Sequence, residues 1–356
     1  SAAGQAPVVP QGAENLLLTA FPDLTDAQRR QVLEASEIDS GYPLDASSNG
    51  FERINLAKAF SAKVTLSEDG STITAISFGA KAPTVVKTAS SKDTITGLLT
   101  DFNEYYVAGK GVTDEGKSVL VHDDQLTEDI NNKAYGTDGN TAQDQRALSD
   151  AQMNSTNTLY DALGPVLGKY YKDAADAGKL PKTAQFLSDM NKSASTGVAK
   201  ATYQHPRPYV DRVNFNGTTL NMNGLKQTLN IKKVPGYENF DWGDGEAPDN
   251  EYDGLYNSGS FPSGHTTFAF TQGAGLAYLL PELGPEIMTR VSEAGNNRIV
   301  LGVHYPLDIM GGHIAGQYGV ATAVSGEKTA QEGAAARAEL VDYLTAQCKA
   351  DNHGDT

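Results

Sequence analysis

Three short stretches of the sequence gather cations, imidazoles and one carboxylate at spacings that suit work on a tetrahedral oxyanion. In Lys200-Ala-Thr-Tyr-Gln-His-Pro-Arg207-Pro208, a lysine and an arginine stand with six residues between them. A guanidinium offers a planar fork to oxyanion oxygens and an ammonium a point charge. Pro206 and Pro208 fix how the chain leaves the preceding helix, and so the aim of Arg207. The second stretch, Gly259-Ser-Phe-Pro262-Ser263-Gly264-His265-Thr266, opens an apolar run. Ser263 suits a helix N-cap and Gly264 lets the backbone approach a ligand. The free N–H groups of a helix start favour an anion, beside which His265 is placed to give a proton. The third stretch runs from Asn297-Arg298 to His304-Tyr-Pro306-Leu-Asp308. Asp308, four residues after His304, is in reach of its ring N–H. A carboxylate there fixes the tautomer and leaves the other nitrogen free to attack. This is the logic of the Asp–His pair in a serine hydrolase, with the histidine itself as nucleophile.

Taken singly, each stretch has a plain structural explanation: a surface cation pair, a capped core helix with an incidental histidine, a structural His–Asp bond. Their coincidence in one chain of six histidines is what points to a site. Lys200, Arg207 and Arg298 together balance a phosphate monoester, which carries about −1.5 to −2 charges near neutral pH, without a metal. Other signals weigh less. His205 and His313 read as structural, His122 and His353 as surface residues. Asp249, Glu251 and Asp253 resemble half of a calcium loop, but the twelfth position is Ser260 instead of glutamate. Trp242 and Tyr252 are placed to touch a substrate.

The elements that must position these residues are mainly helical. Thr25, with Gln28 three residues on, predicts a capping box and a helix closed near Gly41 and Pro43. Val64 and Leu66, the turn pair Asp69-Gly70, then Ile73 and Ile76 predict a hairpin. Ile95, Leu98, Leu99, Phe102 and Tyr106 form one helical stripe from Asp93. Residues 108–141 are polar and glycine-rich and read as a long loop. Helices follow at about 143–163, 165–177 and 183–204, then at about 263–280, 285–296, 306–325 and 327–348. Between them, 209–260 reads as an insertion with a hairpin at Asn216-Gly217 and an acidic stretch from Asp241 to Gly254. Two regions are expected: an accessory one at 1–92 with a helix and a hairpin, and a helical core at 93–350.

Composition excludes little but excludes it firmly. A net charge of −16 argues against a nucleic-acid binder, which needs a basic face. No run of eighteen apolar residues predicts a membrane span. One cysteine, Cys348, forms no internal disulfide, so cysteine usage does not fix a compartment. The start at Ser1-Ala2-Ala3 suits a processed export substrate.

The three stretches resemble the signature of the type 2 phosphatidic acid phosphatase superfamily, which includes soluble class A bacterial acid phosphatases, membrane lipid phosphatases and vanadium haloperoxidases. Its pattern is Lys, six residues, Arg-Pro; then Pro-Ser-Gly-His; then Ser-Arg, five residues, His, three residues, Asp. Lys200, Arg207 and Pro208 match the first block; Pro262, Ser263, Gly264 and His265 the second; Arg298, His304 and Asp308 the third. Asn297 departs, standing where the family has serine. The resemblance implies a mainly α helical-bundle core of the acid phosphatase and haloperoxidase type with small β-hairpin additions. It also implies a secreted or periplasmic phosphatase that needs no cofactor and acts on a small phosphate ester, including the headgroup of a lipid phosphate. In that chemistry His304 attacks phosphorus and forms a phosphohistidine, Asp308 orients it, and His265 protonates the leaving alcohol and then activates water. Lys200, Arg207, Arg298, Asn297, Ser263 and the Gly264 N–H hold the equatorial oxygens. A bell-shaped, acidic-to-neutral pH profile follows. Two alternatives share the pocket: a vanadium-dependent haloperoxidase, with vanadate as cofactor instead of inhibitor, and a non-catalytic phosphate-binding protein. Thr266 after His265, the His304-Tyr-Pro-Leu-Asp308 form and the chain length favour the phosphatase.

Overall fold

A computed structural model describes residues 9–36, 55–87, 93–242 and 249–351. The expected helix end at Gly41 and Pro43, His353, and part of the acidic stretch lie outside them. The chain divides into two compact units, Ser1–Asp93 and Thr94–Thr356.

In the first unit α1 (Asp26–Ala35) begins with the expected capping box, Thr25 and Gln28 exchanging side-chain and backbone hydrogen bonds. After α2 (Leu56–Phe60) come β1 (Lys63–Leu66), β2 (Ile73–Ser77) and β3 (Thr84–Lys87). β1 is central, antiparallel to β2 across the Asp69-Gly70 turn and parallel to β3. Val64 and Leu66 pack with Leu17, Phe21, Val32 and Leu33 in a small core of its own.

The second unit is mainly α. It starts with α3 (Asp93–Leu98), a short turn, and the ribbon β4 (Tyr106–Val107) and β5 (Gly111–Val112). The helical stripe expected through Tyr106 therefore breaks at Leu98, which is exposed, while Phe102 and Tyr106 stay buried. Where a long loop was expected there is α4 (Lys117–Tyr135), a helix of 19 residues. Its buried face is Leu120, Asp123, Asp124, Thr127 and Asn131, a helical spacing made mostly of polar groups. Next come α5 (Ala142–Ala151), α6 (Ser155–Leu159), α7 (Leu167–Asp176), α8 (Pro181–Met190) and α9 (Gly197–Tyr203). The hairpin β6 (Asn214–Phe215) and β7 (Thr218–Thr219) turns at Asn216-Gly217, and α10 (Glu251–Gly254) is a single turn. The bundle closes with α11 (Gly264–Leu279), α12 (Gly284–Val300), α13 (Pro306–Val324) and α14 (Glu327–Ala350).

α11 is apolar on all sides and packs against α6, α8, α12, α13 and α14, as a central helix must. This places its N-terminus deep in the bundle. No described helix is long and apolar enough to cross a membrane.

Candidate active site

The site forms where the C-terminal end of α9, the N-terminal end of α11 and the connection from α12 to α13 converge. Gln204 takes a left-handed conformation and its N–H caps α9 on the Lys200 carbonyl, so the chain turns out before Pro206 and Pro208. Arg207 is thereby sent inward and is 2% exposed. Its guanidinium donates to the Ser258 carbonyl (3.1 Å), the Val303 carbonyl (3.2 Å), the Gly259 carbonyl (3.3 Å) and the Ser258 hydroxyl (3.2 Å). The remaining contact, 3.1 Å, is to Nε2 of His304.

His304 sits just before α13. Pro306 takes the first helical position and Asp308 the third, where its Oδ2 accepts from the Tyr305 N–H at 2.9 Å. The same oxygen lies 3.0 Å from His304 Nδ1. An arginine can only donate, so Nε2 is an acceptor and the proton is on Nδ1, an assignment made from the hydrogen-bond network. The free lone pair of the ring is therefore on the nitrogen that faces Arg207.

Ser263 caps α11 by accepting from the Thr266 N–H at 3.2 Å, and its own N–H donates to the Asp308 carbonyl at 3.0 Å. The caps of α11 and α13 are thus joined. Lys200 donates to Thr196 Oγ1 (3.1 Å) and to the Pro262 carbonyl. A Cβ on Gly264 would meet Thr196 Oγ1 at 3.1 Å and Lys200 Nζ at 3.2 Å. Glycine there lets the ammonium reach the helix N-terminus. Gly264→Ala, whose backbone is unstrained, is expected to push Lys200 aside and weaken sulfate binding roughly 10-fold, with little change in fold. Titration calorimetry checks this; unchanged affinity counts against the Lys200 role.

Arg298 is buried on α12, donates to the Tyr237 hydroxyl at 3.0 Å, and shares a narrow gap with His265, Asp150 and Phe268. His265 is half-buried, with Nε2 3.0 Å from the Ala151 carbonyl and Trp242 beside its ring at 6.2 Å between centroids. Among the described residues, no carboxylate lies within ion-pair distance of Lys200, Arg207 or Arg298. Among the described residues the three cations thus share this region without an ion-pair partner, and Asp308 acts on Lys200 and Arg207 only at longer range.

That crowding sets the protonation. Burial first, then Arg207, Arg298 and Lys200, hold His304 well below the usual imidazole range. Burial and Arg298 do the same to His265. Burial, helped by Arg207, brings Lys200 down to about 7. Burial pushes the Asp308 carboxyl up to about 7 against the pull of the Tyr305 N–H, Arg207 and Ser260.

Lys200, Arg207, Ser263, Gly264, His265, Arg298, His304 and Asp308 are thus brought to one place. Asn297 is not. It is fully buried, its Nδ2 donating to Asp150 at 2.7 Å and its Oδ1 accepting from Gln143. The carboxamide is long enough to reach α5, where Asp150 also holds Arg290 bidentately. It ties α12 to α5 instead of facing the cations. Tyr252 is likewise buried, donating to the Leu301 carbonyl and accepting from the Val234 N–H. Of the acidic stretch, Asn250 caps α10 and Glu251 accepts from the Trp242 indole at 3.2 Å.

Sequence reasoning missed the support around His304. Asp123 accepts from the Leu307 N–H at 3.1 Å, and Asp124 holds Arg212 bidentately at 2.8 and 3.0 Å. Arg212 contacts the Tyr305 hydroxyl, which donates to the Pro206 carbonyl at 2.9 Å. Ser260 reaches Asp308 from behind.

A family model and two known proteins match parts of this chain. The "PAP2 superfamily" model matches residues 184–330. A "Non-specific acid phosphatase" of Providencia stuartii is 27% identical over 189 residues, 51% of this chain and 61% of that protein. An "Acid phosphatase" of Zymomonas mobilis subsp. mobilis is 40% identical over 62 residues, 17% of this chain and 24% of that protein. The chain thus spans less than two thirds of either relative. All three signature stretches, Lys200 to Asp308, fall inside the segment, residues 184–330, that is similar to the PAP2 superfamily.

Proposed function

We propose that this chain is a phosphatase that hydrolyses phosphate monoesters through a phosphohistidine on His304. The observation that carries the reading is the set of three cations, Lys200, Arg207 and Arg298, without an ion-pair partner among the described residues, around an imidazole whose Nε2 lone pair is fixed by Asp308 on the opposite nitrogen. Buried cations without countercharge are costly, and a phosphate dianion relieves that cost. The PAP2 match and the acid phosphatase names of the relatives support the same class.

In the first step Arg207 transfers its N–H from Nε2 to a phosphoryl oxygen, freeing the lone pair. The P–N bond forms as the P–O bond to the alcohol breaks, and His265 gives its proton to that alcohol. His265 then takes a proton from water, which attacks phosphorus and releases His304. The three cations and the α11 N-terminus hold the equatorial oxygens, so no metal is required for charge balance. We assign the substrates to small phosphate esters, a lipid phosphate headgroup among them, and the protein to an exported location.

The test is phosphate release from p-nitrophenyl phosphate, expected to persist in EDTA. With an alkyl phosphate, whose alkoxide must be protonated to leave, the free protein's lowered His265 must carry a proton to act as the acid. Hence kcat/KM falls as pH rises through a value below the ordinary imidazole range. Bound phosphate adds negative charge beside His265 and raises that value, so the alkaline limb of kcat lies at higher pH than that of kcat/KM. A kcat/KM that climbs steadily to pH 9 overturns the assignment of His265.

A further inference from the structure

Behind Asp308 lies a buried polar chain that the mechanism above does not use. Ser260 Oγ is 3.2 Å from Asp308 Oδ1, the oxygen turned away from His304. On its other side Ser260 Oγ is 3.0 Å from His205 Nδ1, and the Ser260 N–H donates to the His205 carbonyl at 2.8 Å. Ser260 is fully buried and His205 is 4% exposed. The His205 ring is packed edge-on against Phe102 and Tyr106 and lies beside Tyr305, so its position is set on several sides.

We propose that His205 and Ser260 are positioning residues that hold Asp308 as a carboxylate aimed at His304, given the phosphohistidine reading above. The direction of the hydrogens makes the argument. A hydroxyl has one hydrogen. If Ser260 gives it to Asp308, then His205 Nδ1 must carry a proton and donate to Ser260. The chain then reads His205 N–H to Ser260 O–H to Asp308 carboxylate, with the His304 N–H arriving from the other side. Every hydrogen points at Asp308. The opposite polarity needs a protonated Asp308 and a bare His205 Nδ1, and it removes the charge that fixes the His304 tautomer. Burial keeps His205 neutral, with its value down at about 3, so it donates without adding a cation.

The charged and titratable neighbours of Asp308 come from each element around it. Lys200 and Arg207 lie on the α9 side and favour its carboxylate. Asp123 on α4 repels it, and the Tyr305 phenol feels the same charge. His304 is its direct partner. Arg212 acts on His205. Ser260 is the contact among these that a single-atom change removes.

The experiment compares Ser260→Ala, Ser260→Thr, His205→Phe and His205→Asn with p-nitrophenyl phosphate and inorganic sulfate. Ser260→Ala is expected to lower kcat about 10-fold with KM and sulfate affinity unchanged, and to move the acid limb of kcat/KM upward as Asp308 protonates more readily. Ser260→Thr keeps the hydroxyl and restores the rate. His205→Phe preserves ring volume without the donor and behaves like Ser260→Ala. His205→Asn places an N–H near Nδ1 and recovers most of the loss. The Ser260→Ala, His205→Phe double variant is no worse than either single one. Nitrogen-15 NMR of His304 reads the tautomer without turnover: Ser260→Ala shifts population from Nδ1–H to Nε2–H. An unshifted acid limb and tautomer in Ser260→Ala, or additive losses in the double variant, overturns the relay. Where His205→Phe does not fold, the Ser260→Ala and Ser260→Thr pair decides. Full hydrolysis by His304→Ala would instead overturn the phosphatase mechanism itself, so the two failures are distinct.

Discussion

His304→Ala is expected to lower kcat for p-nitrophenyl phosphate by on the order of 10⁴- to 10⁶-fold, the range seen when a nucleophile is removed from a coupled catalytic set. The imidazole is not replaceable locally. Nε2 faces Arg207 at 3.1 Å and Nδ1 faces Asp308 at 3.0 Å, and the ring is 1% exposed. An alanine leaves a buried gap between a guanidinium and a carboxylate. These then attract one another across it, so sulfate affinity also falls. The intermediate gives a sharper test than the rate. With radiolabelled substrate and an alkaline quench, which preserves phosphohistidine, the parent protein shows label and His304→Ala shows none. His265→Ala behaves differently. p-Nitrophenolate leaves without much protonation, whereas water still needs a base, so label accumulates while turnover falls about 10²- to 10⁴-fold. Equal labelling of His304→Ala and the parent moves the nucleophile elsewhere.

The legibility of this site follows from which side chains carry short-range patterns. The Ser263 cap with Gly264 and His265, and Asp308 four residues after His304, are local motifs, and both form as the spacing requires. Each works within one turn of helix, so sequence separation reports spatial separation. Arg207 was legible for a related reason, since two prolines constrain its exit. Asn297 shows where this kind of reading ends. Its neighbour in sequence is Arg298, but its carboxamide is satisfied by Asp150 and Gln143, well over a hundred positions earlier in the chain. No spacing within a segment encodes that contact.

α4 was illegible for a different reason. Hydrophobic periodicity assumes that a buried helix face is apolar. Here the buried positions carry Asp123, Asp124, Thr127 and Asn131, while Val121 and Leu126 are among the exposed ones. The pattern is helical in burial and scrambled in polarity. Each buried polar group answers a specific partner: Asp123 the Leu307 N–H, Asp124 the Arg212 guanidinium, Asn131 the Val300 and Lys232 carbonyls. The helix was missed because its face meets Arg212, Lys232, Val300 and Leu307 through hydrogen bonds instead of through methyl groups.

That exchange of apolar for ionic packing makes Asp124→Ala the most damaging stability change expected in the helical unit. Arg212 and Asp124 are side chains of 2% and 8% exposure joined by two hydrogen bonds. Burial raises Asp124 against the attraction of Arg212, whereas Tyr305 and then Asp124 hold the guanidinium above its ordinary value against burial. The two directions disagree on how favourable the ion pair is. The bidentate contact decides for the ionised form, because a neutral carboxyl cannot accept both N–H groups as well. Removing Asp124 leaves a buried guanidinium with the Lys226 carbonyl and a 3.5 Å contact to the Tyr305 hydroxyl. An uncompensated charge of this kind costs about 3–5 kcal/mol, or roughly 10 °C in melting temperature for a unit of this size. Asp124→Leu combined with Arg212→Met removes both charges and is expected to melt above Asp124→Ala, since apolar replacement of a buried pair is close to neutral. The readout extends to catalysis. Tyr305 follows His304 and is braced between Arg212 and the Pro206 carbonyl, so the double variant, though folded, is expected to keep its melting temperature better than its kcat. An Asp124→Ala protein that melts within a degree or two of the parent would show that water reaches Arg212, and that α4 holds the His304 loop through Asp123 alone.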